Sequence, residues 1–393
     1  MTSKEHWVLP QGIEEALPEH AARLEVLRRD LLNLYATWGY ELVIPPFIDH
    51  IESLLTGTGH DLDLQTFKLV DQVSGRTLGV RADMTPQVAR IDAHQLKREV
   101  PTRLCYIGTV LHARPDSFGG SRSPLQVGAE LYGHAGVESD VEILGLMLNT
   151  FSVAGVKNVF VDIGNVDIFK GLAKQAKIDQ DTEARLFEML QRKAVPEIEA
   201  LLNELKLDKD VHEMLAALAE LNGDVGVLET ARKKLAKADA NVHAAINYLQ
   251  KTADAIMARF DNIGFNFDLA ELHGYHYQTG VVFAAFVPGS GEAIARGGRY
   301  DDIGQIFGRA RAATGFSTDL KLLDNLTTRQ FETPKRVFAP AEKNPALQCK
   351  INELRSQGVC VVEQLVGQTG DAVAMQCNQS LKLVDGQWQV VNL

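Results

Sequence analysis

After Pro18, apolar residues recur at three- and four-residue steps, at Leu24, Leu27, Leu31, Leu34 and Trp38. This spacing predicts one amphipathic helix, stopped by Gly39. The next run, Tyr40-Glu41-Leu42-Val43-Ile44, reads as a strand closed by Pro45-Pro46, because proline has no amide hydrogen to give to a ladder. From Phe67 to Arg81 and from Arg103 to Tyr132, short β-prone runs alternate with loops such as Asp116-Ser117-Phe118-Gly119-Gly120-Ser121, which predicts antiparallel strands. Between about Asp167 and Phe260 the pattern turns to charged helical sequence. There Val242, Ile246, Leu249, Ala253, Ile256 and Phe260 form the stripe of a core-facing helix.

Strand signals return at Val281-Val282-Phe283 and Ala293-Ile294-Ala295 around the turn Pro288-Gly289-Ser290-Gly291, and a helix is expected after Thr318. Beyond Thr333-Pro334 lies a tail with strand signals at 337–339, 359–362 and 372–375 around a helix containing Ile351 and Leu354. It closes with Asp385-Gly386 between two β-prone runs, the chemistry of a tight hairpin.

With 393 residues, 45% hydrophobic and 23% charged, the chain can bury more than one core. No apolar run approaches the ~20 residues that span a bilayer. The mixed, partly acidic start lacks the basic-then-apolar order of a secretory signal, so a cytoplasmic protein is expected. The net charge of −11 sets an average field that repels polyanions and weighs against tRNA. Cys105, Cys349, Cys360 and Cys377 lie far apart, which indicates neither a zinc site nor a disulfide framework. No metal or cofactor is expected.

Four segments in order resemble the class II aminoacyl-tRNA synthetase core, specifically the histidyl enzyme. Tyr40 to Asp49 is similar to the end of its dimer-forming motif 1, and Val80-Arg81-Ala82-Asp83-Met84-Thr85-Pro86 is similar to its segment for the substrate amine. Tyr106 to Glu130, with His112-Ala113-Arg114-Pro115 and Gln126-Val127-Gly128-Ala129-Glu130, resembles motif 2. Gly274-Tyr275-His276-Tyr277-Gln278-Thr279-Gly280 and Ala295-Arg296-Gly297-Gly298-Arg299-Tyr300-Asp301 resemble the two histidine signatures. The fold class this implies is α+β. Residues 1–166 and 261–330 would form an antiparallel sheet core flanked by helices, 167–260 a helical insertion, and 335–393 a small C-terminal α/β domain.

The departures from the family pattern fall on ATP chemistry. Leu111 stands where motif 2 supplies an arginine for the α-phosphate, and Ala113 replaces the following glutamate. His273 replaces the arginine that opens the first signature; it is shorter and largely neutral at pH 7. In motif 3, Leu322 replaces the γ-phosphate arginine and Lys321 a magnesium-binding acid. Each lost phosphate contact typically costs roughly 3–4 kcal/mol of transition-state stabilisation, so adenylation is not expected.

The amino-acid side differs. By resemblance, Asp83, Thr85, Gln126, Glu130 and Tyr277 describe a histidine pocket, with Asp83 for the ammonium and Glu130 for an imidazole N–H. Read without that context, Asp83 and Glu130 are ordinary paired carboxylates. His273 and His276 lie three apart on an expected strand and would face opposite ways, which makes no metal pair. Gly297-Gly298 reads equally as a tight backbone bend, and Arg114 and Arg299 equally as structural ion-pair partners.

A synthetase core without adenylation residues, carrying a tail shorter than an anticodon-binding domain, resembles the regulatory subunits of ATP phosphoribosyltransferase. That resemblance implies a non-catalytic protein of histidine biosynthesis that activates a short catalytic subunit in a hetero-octamer. It also implies self-association through the synthetase-like dimer face, free histidine as feedback ligand, and no tRNA or membrane partner. The alternatives are a divergent class II synthetase or ATP-dependent amino-acid ligase, and a stand-alone histidine-sensing module.

Overall fold

A computed structural model describes residues 7–55, 60–115, 120–260, 263–270, 278–332 and 334–393. The chain divides into two compact units, Met1–Arg329 and Gln330–Leu393. In the first, the strands are β1 (Glu41–Leu42), β2 (Ile48–His50), β3 (Phe67–Val70), β4 (Thr77–Val80), β5 (Thr102–Thr109) and β6 (Leu125–Tyr132). They continue with β7 (Phe160–Asn165), β8 (Asn222–Gly223), β9 (Gly264–Asp268), β10 (Val281–Phe286), β11 (Ala295–Arg299) and β12 (Ala313–Asp319). Nine of them form one sheet in the order β1-β5-β6-β12-β11-β10-β7-β9-β8, and β2-β4-β3 form a small second one. Pairing is antiparallel except at β1/β5 and β7/β9 in the large sheet.

One face of the large sheet is covered by helices. The helix Val137–Ala154 buries most positions after its first turn, including Leu144, Met147 and Phe151, because it lies between β12 and the helices Pro18–Thr37 and Ala240–Met257. The first helix follows the predicted stripe with one change of register. Leu24, Leu27, Leu31 and Tyr35 are its buried positions, and Leu34 and Trp38 are only half-buried. Tyr35 meets Phe316 of β12 edge to face and bonds Thr150 at 3.1 Å, so its ring and its hydroxyl both gain from the interior. The strand expected over 40–44 shrinks to Glu41–Leu42, although the Val43 amide still donates to the Cys105 carbonyl of β5 at 2.9 Å before the proline pair.

Helices from Val166 to Met257 lie between β7 and β9, which are neighbours in the sheet. The predicted stripe is buried from Val242 to Ile256, while its last member, Phe260, lies past the helix end and is half-buried. Among the described residues no helix is long and apolar enough to cross a membrane.

The second unit carries β13 (Arg336–Ala339), β14 (Cys360–Glu363), β15 (Gln379–Val384) and β16 (Gln387–Asn392), ordered β14-β13-β15-β16. Val337, Val361, Leu381 and Trp388 pack on the helix Pro345–Ser356 through Leu347, Ile351 and Leu354. The expected strand at 372–375 is a turn, in which Asp371 accepts from the amide of Ala374, and the third strand starts at Gln379. The hairpin is as predicted, with Asp385 and Gly386 both at positive φ (50° and 78°).

Candidate functional site

Register places the polar groups. Glu130 on β6 pairs with Gly315 on β12, and Gly315 pairs with Gly298 on β11. Side chains at paired positions share a face, and Phe316 points towards Tyr35 and the helices. Glu130, Gly315 and Gly298 therefore face the other way. Gln126, four residues before Glu130, shares that face. Asp83 and Thr85 arrive at the junction between β4 and the helix Thr85–Arg90.

These four sequence-predicted residues form one network. Thr85 donates its amide (3.0 Å) and points its hydroxyl (3.1 Å) at Oδ1 of Asp83, which also accepts from Nε2 of Gln126 at 2.7 Å. The Gln126 carbonyl oxygen accepts the Met84 amide at 2.9 Å, so one side chain clamps the whole turn. Glu130 is 1% exposed. Its Oε1 accepts from Tyr106 at 2.8 Å and faces the Thr85 hydroxyl at 3.2 Å, while Oε2 accepts from Tyr300. Thr85 has one hydroxyl hydrogen, so it serves Asp83 or Glu130 at a given moment.

Burial pushes the Glu130 carboxyl up to about 8, against the pull of the Tyr300, Tyr106 and Thr85 hydroxyls, and the nearby Asp83 adds to the rise. Burial therefore disfavours the Glu130 anion, which a cationic or N–H-donating group beside it would favour. Gly315 is required here because a Cβ at that position would lie 1.6 Å from Oε2 of Glu130.

A cavity of about 120 Å³ opens on this network, lined by Asp83, Thr85, Glu130, Gln278, Arg296 and Tyr300 among others. It is well below the ~300–1,000 Å³ of drug-sized pockets. Gln278 is 4% exposed, and its Oε1 has no hydrogen-bond partner among the described residues. Tyr277, His273, His276 and the loop residues Asp116 to Gly119 lie outside the described residues.

Tyr106, Tyr300, Gln278 and Arg296 escaped the sequence reading as site residues. For Tyr106 the signal was strand alternation, which sets Leu104, Tyr106 and Gly108 of β5 on the pocket face opposite Glu130, Gly128 and Gln126. Arg299 faces away from the pocket. It donates to Asp140 at 2.9 Å, to Ser139 at 2.8 Å and to Asp301 at 3.2 Å, which makes it a structural partner. Arg114 is exposed. Gly297 and Gly298 lie within β11, and a Cβ on Gly297 would sit 2.4 Å from the Gly315 carbonyl.

At the end of the sheet where the family pattern places phosphate, two cations are bonded to backbone carbonyls. Lys321 donates to the Ser123 carbonyl at 2.8 Å, and Arg122 donates to the carbonyls of His112 (2.9 Å) and Gln11 (3.1 Å). Leu111 and Leu322 are half-buried. Among the described residues no group of three His, Cys, Asp or Glu could hold a metal ion.

Residues 12–323 match the family described as "Histidyl-tRNA synthetase", and residues 334–391 match "ATP phosphoribosyltransferase subunit HisZ C-terminal domain". An ATP phosphoribosyltransferase regulatory subunit of Thioalkalivibrio sulfidiphilus is 59% identical over 395 residues, covering 100% of both chains. One of Methylococcus capsulatus is 54% identical, covering 98% of this chain and 96% of the relative. A crystal structure described as an ATP phosphoribosyltransferase regulatory subunit/histidyl-tRNA synthetase from Bacillus halodurans C superposes with a TM-score of 0.83 at 27% identity, covering 96% of this chain and 97% of that one. A synthetase-like core joined to this tail, with these full-length relatives, gives the assignment: the chain belongs to the family of ATP phosphoribosyltransferase regulatory subunits.

Proposed function

We propose that this regulatory subunit binds a short catalytic ATP phosphoribosyltransferase subunit in a cytoplasmic hetero-octamer, raises its turnover, and carries histidine feedback through the pocket at Asp83, Thr85, Gln126, Glu130 and Tyr277. The observation that carries this reading is the contrast within one sheet. The amino-acid end keeps converging polar groups around a cavity, while Lys321 and Arg122 spend their charges on backbone carbonyls at the phosphate end. A subunit that senses an amino acid without activating it needs this division. Inhibition then requires that histidine favour one arrangement of the complex over another, typically by about 1–3 kcal/mol.

Self-association through the motif 1 face is part of the same reading. Leu42, Ile44, Phe47 and Ile48 are 43%, 80%, 43% and 44% exposed along one short stretch, a concentration of apolar surface suited to an isologous contact. The segment 167–260 is read as an inserted subdomain of the core, and tRNA is not a ligand.

The test measures catalytic-subunit turnover with ATP and phosphoribosyl pyrophosphate, alone, with this chain, and with added histidine. Turnover is expected to rise with the chain and fall with histidine, and Glu130→Ala is expected to abolish both the fall and the heat of histidine binding. Unchanged turnover defeats the activation reading; inhibition that survives Glu130→Ala places the sensor elsewhere.

A further inference from the structure

The pocket has an acidic end and, on the same floor, a basic one. Alternation along β11 puts Arg296, Gly298 and Tyr300 on the face that carries Glu130. Arg296 pairs in register with Ser317 of β12, which pairs with Gly128 of β6, one row along the strands from the row of Gly298, Gly315 and Glu130. Glycines thus form the floor between the carboxylate and the guanidinium, and both Arg296 and Ser317 line the cavity.

Arg296 is available. Its ion pair among the described residues is to Glu292, one helical-type step earlier at 3.6 Å, with the two side chains 45% and 64% exposed. Such a pair is held weakly in water and yields to a better carboxylate. Four other cations around this part of the sheet are committed, Arg81 among them through the Pro45 and Thr109 carbonyls. Arg299 is turned to Asp140, Arg122 to the His112 and Gln11 carbonyls, and Lys321 to Ser123. The floor also offers an unmet acceptor, Oε1 of Gln278, placed where a Cβ on Gly298 would lie 2.7 Å from it. A ligand that donates N–H groups at the acidic end and accepts at Arg296 satisfies both.

We propose that Arg296 binds the α-carboxylate of the amino acid in this pocket, with Ser317 beside it, and so makes the site selective for ligands with a free carboxylate. This rests on the histidine-pocket reading above and names the group that completes it, in the absence of an arginine at His273. The planar fork matches a carboxylate with two parallel bonds, which neither a lysine nor a hydroxyl reproduces.

Calorimetry on the full chain tests it with two probes, L-histidine and L-histidinol, in which CH2OH replaces the carboxylate. The wild type is expected to bind histidine about 10- to 100-fold more tightly than histidinol, the range of a charge-assisted pair of hydrogen bonds. Arg296→Ala is expected to lose that factor for histidine and to leave histidinol within about 2-fold; Arg296→Lys is expected to recover part of it. Arg296→Ala with wild-type histidine affinity, while Glu130→Ala abolishes binding, overturns the role of Arg296 and leaves the pocket standing. Equal loss of both probes in Arg296→Ala also overturns it, as a structural effect. A wild type that binds neither probe removes the pocket reading and this one with it.

Discussion

The two ends of the pocket sheet use their charged groups in opposite ways. At the amino-acid end, Asp83, Thr85, Gln126, Glu130, Tyr106 and Tyr300 bond one another around a cavity, and Glu130 is kept in an environment that disfavours its charge. At the phosphate end Lys321 and Arg122 are bonded to backbone carbonyls, and leucines occupy two positions the family pattern gives to arginine. A fold can thus lose the charges of one site while keeping the polar network of its neighbour. Carbonyls of the same chain quench the cations, and the strands that position the remaining acid stay paired.

The widest consequence of this contrast is catalytic. Three phosphate arginines are replaced, and each such group is worth about 100- to 1,000-fold. Histidine-dependent exchange of pyrophosphate into ATP is therefore expected at least ~10⁶-fold below the ~1–100 per second of ordinary enzymes. Exchange near that ordinary rate would show the phosphate end to be functional.

A smaller effect sharpens the other side. Glu130 titrates near 8 in the folded chain and near 4.5 unfolded, so the fold holds a proton that the unfolded chain releases. The wild type should therefore lose stability relative to Glu130→Gln as pH rises from about 4.5 to about 8, at up to about 1.4 kcal/mol per pH unit, with no difference in slope below that window. Denaturant unfolding of both proteins at pH 5, 6.5 and 8 measures this. Parallel pH profiles would show that Glu130 is not buried as an acid.

The smallest effect asks whether the ends are independent. Lys321→Ala removes the bond to Ser123 and should cost about 1–2 kcal/mol of stability while leaving histidine affinity within about 2-fold. A large loss of affinity instead would join the two ends into one device.

Periodicity in the sequence located the first helix, the stripe at Val242–Ile256 and the final hairpin, because each is a local pattern of apolar spacing or turn chemistry. It misjudged what depends on distant partners. Tyr35 replaces Trp38 on the buried face of the first helix because Thr150 and Phe316 receive it, and nothing near residue 35 announces them. The tail strand expected at 372–375 gave way to Gln379–Val384, whose apolar alternation is completed only by pairing with β13 and β16. Family resemblance singled out Asp83, Thr85, Gln126 and Glu130, which the fold brings into one hydrogen-bonded network. Their hydroxyl partners were less legible, since Tyr106 and Tyr300 reach Glu130 from 24 and 170 residues away. Lys321 was legible as a substitution, but its bond to Ser123, 198 residues distant, was not.

That separation also has a timetable. The pocket floor joins β6, in the first third of the chain, to β11 and β12, close to the end of the core unit. Ribosomes extend a chain by roughly 5–20 residues per second, so the 170 residues between Glu130 and Tyr300 take about 8–34 s to make. Until β12 arrives, β6 can pair only with β5 and leaves its other edge open. An open edge is a template for wrong pairing. The pocket around Glu130 is therefore completed late in synthesis of the core unit, and the nascent chain carries an exposed β edge for most of that interval.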